Sequence, residues 1–192
     1  MGGVILMVDL YYYVPVEEVD YVVDCGLKLS RWYNKEELID GQYKKCLTAL
    51  LNPKDDIEKY NSNRLVCVKL EIEPDYCFVG DKYLYDAGAN EPDMLKLYRE
   101  TIVPLKDYIF GTYRLPECLV TTTVIGGNIS VLNKNLDSPV LYTDSEELYI
   151  NNILEYYKET GEDFSNSILY YFHLKLAELG KFKKIEDLKN KT

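Results

Sequence analysis

The stretch from Leu65 to Glu73 limits the possible folds of this chain more than any other. Val66, Val68, Leu70 and Ile72 alternate with Cys67, Lys69, Glu71 and Glu73. A period of two places the two sets on opposite faces of a strand, one buried and one wetter. Such a strand needs neighbours in a sheet and a layer to cover its apolar face. Further strand candidates are the apolar run Val4 to Tyr13, the short segments Leu27 to Ser30, Tyr76 to Val79 and Ile129 to Leu132, and Glu117 to Ile125, which is β-prone throughout.

Helical spacing appears in three kinds of place. Val16, Val19, Val22 and Val23 follow Pro15, which suits a first helical turn, and Gly26 stands where a left-handed terminating residue is expected. Met94, Leu95, Tyr98 and Ile102 share one face between Pro92 and Pro104. Beyond Asn133 the texture changes. Asp144 or Ser145 caps a helix in which Leu148, Ile153, Leu154 and Tyr157 recur and which Gly161 stops. A second helix is expected from about Ser165 to Leu179, and then a lysine-rich, solvated end. Residues 31–63 read as a connecting, functional loop, with Cys46 to Leu51 as a candidate helix, and residues 86–92 and 110–116 as further loops. Strands therefore dominate the first two-thirds and helices the last third. With no βαβ alternation and no repeat, this predicts an α+β fold: two small sheets with flanking helices over 1–135, and a helical extension packed on them over 136–192.

Composition removes several functions. The chain has 192 residues and a formal charge of −10, from 22 Lys and Arg against 32 Asp and Glu. That balance disfavours a globally basic nucleic-acid binder. His173 is the only histidine, so a multi-histidine metal site is excluded and a histidine-based triad is poorly supported. The five cysteines include no C-x-x-C pair, which removes the zinc-ribbon and thioredoxin patterns. Their odd number and the absence of a leader-like opening lead to an expectation of reduced thiols in a cytoplasmic protein. No apolar run approaches the length of a membrane span, so no membrane partner is expected. Phosphate-binding G-x-x-x-x-G-K, dinucleotide G-x-G-x-x-G and nucleophile G-x-S-x-G motifs are all missing.

A dispersed pattern remains. Leu10-Tyr11-Tyr12-Tyr13-Val14-Pro15 precedes a short helix and then Gly26-Leu27-Lys28-Leu29-Ser30. Much later comes Tyr113-Arg114-Leu115-Pro116-Glu117-Cys118-Leu119-Val120. In order and spacing this resembles the ADP-ribosyltransferase superfamily, most of all its compact bacterial members, over about residues 8–132. The resemblance implies a fold of two small sheets with NAD, as substrate, in the cleft between them. It implies transfer of ADP-ribose to a macromolecular acceptor, protein or nucleic acid. Glu117 stands at the position of the catalytic glutamate and Ser30 at that of the strand hydroxyl. Tyr12 stands where many relatives carry the histidine that binds the ribose. Tyr11 and Tyr13 are candidate aromatic platforms for nicotinamide, with Trp32 and Tyr33 as alternatives, and Arg31 is a candidate phosphate partner.

The chemistry accounts for those residue types. Breaking the nicotinamide–ribose bond builds positive charge on the sugar, and a nearby carboxylate stabilises it. Tyr12 departs from the family pattern, because a phenol is longer than an imidazole and donates one hydrogen bond. Two readings follow. In one the chain is a transferase with a variant site. In the other it is an inactive version of the fold, serving as a protein-interaction module or an antagonist of a defence system, with the acidic surface toward a basic partner and the C-terminal helices as an interface.

Overall fold

The computed structural model describes residues 7–89, 91–133 and 144–160. The chain divides into two compact units, Met1–Ile150 and Asn151–Thr192. The strands of the first unit are β1 (Val8–Pro15), β2 (Lys35–Ile39), β3 (Gln42–Ala49), β4 (Leu65–Ile72), β5 (Cys77–Asp81), β6 (Val103–Pro104), β7 (Pro116–Val120) and β8 (Ile129–Val131). Its helices are α1 (Val19–Cys25), α2 (Leu29–Trp32), α3 (Ile57–Tyr60), α4 (Lys82–Ala87) and α5 (Pro92–Thr101), and it holds the start of α6 (Ser145–Thr160). In the second unit the described residues are those of the same helix, up to Thr160. The expected stop at Gly161, the second C-terminal helix and the lysine-rich end lie outside the described residues.

The fold is α+β. A three-stranded sheet runs β1-β4-β8 and a five-stranded sheet runs β2-β3-β7-β5-β6. All pairings in both are antiparallel. The alternation at Leu65–Ile72 does what it predicts. Val68, Leu70 and Ile72 are buried in the core between the sheets, with Leu10 and Val14 from β1. Leu47, Ala49, Cys77, Val79, Cys118 and Val120 enter the same core from the five-stranded sheet. The other face of that sheet carries a smaller cluster of Ile39, Cys46, Phe78 and Leu119, against which Ile102 packs after α5. The two sheets meet where Tyr11 and Leu50 exchange backbone hydrogen bonds of 2.9 and 2.8 Å.

Three expectations are corrected. Residues 31–63 are not one loop, because β2 and β3 form a hairpin across Asp40 and Gly41. Both turn residues have positive φ, 53° and 75°, the backbone of a two-residue turn whose twist matches its strands. Cys46 to Leu51 is accordingly strand rather than helix as far as Ala49, since its apolar residues fill two sheet faces in turn. Leu27 to Ser30 is not a strand either. Only Leu27 bridges, to Val124, and α2 begins at Leu29, with the N–H of Trp32 donating to the carbonyl of Lys28 at 3.0 Å.

Gly26 ends α1 with φ +81° and presses its backbone on residues 124–126. A Cβ there would lie 2.2 Å from the Val124 carbonyl oxygen. Gly126 faces the carbonyls of Val23 and Asp24 just as closely, so each side of this contact requires the smallest residue. The cap expected for α6 is present: the side chain of Asp144 accepts the Glu147 N–H at 2.8 Å.

Candidate functional site

Strand alternation divides the three consecutive tyrosines. Tyr12 is half-buried against the core between the sheets. Tyr11 and Tyr13 point the other way, into a cluster with Cys67 and Leu132. Tyr13 donates its phenol to the Pro53 carbonyl at 2.6 Å. These two rings hold the 50–60 segment against the three-stranded sheet and share no face with Tyr12.

Tyr12 and Arg31 do come together, through a residue of α2. The rings of Tyr12 and Trp32 meet edge to face, 6.3 Å between centroids. The Arg31 guanidinium lies 5.4 Å from the Trp32 ring and 4.7 Å from that of Tyr21, and pairs with Glu18 at 3.4 Å. Burial, and secondarily the Glu18 carboxylate, push the Tyr12 phenol upward, so it remains a protonated donor at neutral pH. Ser30 precedes Arg31 in α2 and is exposed. The indole N–H of Trp32 is buried and has no hydrogen-bond partner among the described residues. The corner thus offers a phenol, an aromatic rim and a half-exposed guanidinium already engaged by a carboxylate.

Glu117 lies elsewhere. In β7, Cys118 and Val120 face the core between the sheets, so Glu117 and Leu119 face the opposite side. The Glu117 side chain is 3% exposed and pairs with Lys35, whose side chain is 8% exposed. The Tyr98 phenol donates to the same carboxylate oxygen at 2.7 Å. Lys35 Nζ also sits 3.3 Å from the centroid of the Tyr85 ring and 4.9 Å from that of Tyr98. The result is an ammonium enclosed by one carboxylate and two aromatic faces. Beside it the buried Glu37 accepts from Arg99 Nε at 3.3 Å. Burial and the adjacent Glu117 charge push the Tyr98 phenol far up, which fixes it as a donor.

Glu117 is the only one of the expected residues in this second cluster. Its partners Lys35, Glu37, Tyr85 and Arg99 are absent from the sequence expectation, and Tyr98 enters that expectation only as one of an apolar helical stripe. The signal for the first two is the i, i+2 spacing of Lys35, Glu37 and Ile39, which gives them one strand face once the Asp40-Gly41 turn is recognised.

No family model matches this chain, and no curated protein or solved structure matches it either. Among the described residues, no helix is long and apolar enough to cross a membrane.

Proposed function

We propose that the chain is a protein-interaction module on an ADP-ribosyltransferase-like plan, with Glu117 in a structural role. One observation carries this reading. The carboxylate that a transferase would turn toward the ribose is spent on Lys35 and Tyr98, on the sheet face opposite the core that Tyr12 packs against. A carboxylate that is 3% exposed and already accepts from an ammonium and a phenol on one oxygen is committed to a structural contact rather than open to a substrate sugar. The formal charge of −10 suits a basic partner, drawn in by long-range attraction.

A second reading, an NAD-dependent transferase, draws support from the corner where Tyr12, Trp32 and Arg31 gather. There a phenol could donate to a ribose hydroxyl, and a guanidinium freed from Glu18 could meet a phosphate.

Thermal unfolding with and without millimolar NAD separates the two. The interaction reading expects an unchanged midpoint. A ligand at a hundred times its dissociation constant adds about 2.7 kcal/mol. That is a rise of roughly 5–10 °C for a chain of this size. A rise of that kind, lost in Tyr12→Ala or Ser30→Ala, would overturn the proposal in favour of the transferase.

A further inference from the structure

The contact between Lys35 and Glu117 joins strands that are not neighbours. β3 lies between β2 and β7 in the sheet, so the contact passes over β3, on the face where Cys46 and Leu119 are buried. Both side chains are nearly enclosed. Tyr85 and Tyr98 turn their rings to the ammonium. The Tyr98 phenol donates to Oε1 of Glu117, the same oxygen that receives Lys35. A second buried carboxylate, Glu37, stands two residues from Lys35 on the same strand face. An amine, an acyl carbon, a hydrogen-bond donor and a group able to carry protons are thus collected where little water enters.

We propose that Lys35 and Glu117 condense into an intramolecular isopeptide bond. The inference rests on the structural role given to Glu117 above and adds a covalent product to it. The ion pair is the state from which the bond forms. Glu37 carries a first proton from Nζ of Lys35 to Oε2 of Glu117, leaving an amine and a carboxylic acid. The Nζ lone pair then forms a bond to Cδ, and the carbonyl π pair moves onto Oε1, where the Tyr98 phenol holds it. Glu37 carries a second proton from Nζ to the Oε2 hydroxyl as the Cδ–Oε2 bond breaks. One water leaves, the carbonyl re-forms, and Glu37 regains its charge. Nothing is oxidised or reduced.

In water such a condensation runs backward, because both groups are solvated ions and the solvent is in excess. The interior reverses each term. The fold holds the two groups in contact, which replaces a chance encounter by a fixed approach. Enclosure by the aromatic rings limits the water that would hydrolyse the product. The product also exchanges two buried charges for one neutral amide, whose oxygen keeps the Tyr98 hydrogen bond. The bond links residues 82 positions apart and ties β2, at the edge of its sheet, to β7 at the centre.

Intact-mass spectrometry of the denatured full chain reads the bond directly. A fraction growing over a week at room temperature should weigh one water less than the sequence. Trypsin should then release Trp32–Lys44, uncut at Lys35, joined to Leu115–Lys134 as one branched peptide. Glu37→Gln keeps both reacting groups and should slow the loss about a hundredfold. Lys35→Met should keep its full mass. The full sequence mass throughout in the wild-type chain would overturn the bond, with no variant needed. So would a water loss that persists in Lys35→Met or maps to other peptides, and an undiminished rate in Glu37→Gln would overturn the proton path. The structural role of Glu117 is tested apart from this, by melting with NAD, so the two readings fail separately.

Discussion

Replacing Glu117 by Gln tests the structural role assigned to that carboxylate. The substitution keeps shape and one oxygen acceptor but removes the charge that offsets Lys35. Lys35 then retains a Tyr98 hydroxyl at 3.4 Å and the Tyr85 ring at 3.3 Å, neither of which carries a formal charge. Breaking one half of a buried ion pair costs about 3–5 kcal/mol. Because glutamine can still accept from Tyr98 and Lys35, the lower end applies, about 3 kcal/mol. At 2–4 °C per kcal/mol, the midpoint should fall by roughly 6–12 °C. Lys35→Met alone should destabilise similarly by stranding the carboxylate. The double variant should be less damaged than the sum of the singles, with a coupling of about 2 kcal/mol or more. Differential scanning calorimetry on the four proteins closes the cycle. A Glu117→Gln protein that melts within about 1 °C of the wild type would refute the argument, since no surface-like carboxylate is so deeply enclosed.

Three further predictions rest on local geometry. Gly26→Ala should destabilise by about 3 kcal/mol or more in urea unfolding, since its Cβ meets the Val124 backbone and its φ is positive. Gly41→Ala, equally positive in φ but with open space around it, should cost only about 1 kcal/mol. Tyr13→Phe should cost about 1–2 kcal/mol by the same assay, because the buried Pro53 carbonyl loses the phenol that donates to it at 2.6 Å.

The sequence displays its local rules more openly than its pairings. The alternation of Leu65–Ile72 needs no tertiary knowledge, because the same two faces are written into the residues. Gly26 is legible too, as a glycine at the end of an apolar helical spacing. The hairpin of β2 and β3 is less visible, since Lys35, Glu36 and Glu37 break the apolar rhythm. Lys35 and Glu37 are buried in spite of their charge because Glu117 and Arg99 arrive from distant parts of the chain. Pairing of that kind leaves no periodic trace in either partner. Ser30 illustrates the opposite error. Leu27-Lys28-Leu29-Ser30 has strand-like alternation, but the sharp backbone turn at Gly26 leaves room for only one bridging residue before the chain coils into α2. The resemblance placed Tyr12 and Glu117 together from motif order alone. Order along a strand does not say which face a residue takes, and a shift of one position exchanges the faces.

The contact between Gly26 and Gly126 also sets a timetable. About a hundred residues separate its two sides, and a ribosome adds them at roughly 5–20 per second. For about 5–20 s after Gly26 is made, α1 has no 124–126 segment to lean on. In that interval the N–H of Leu27 lacks the Val124 carbonyl that it finally reaches at 2.8 Å. The third strand of the smaller sheet comes later still, because Ile129–Val131 follows on the chain. The opening helix, though among the first elements to be synthesised, is thus among the last parts of the fold to be sealed, and a nascent chain stalled before residue 124 would expose it.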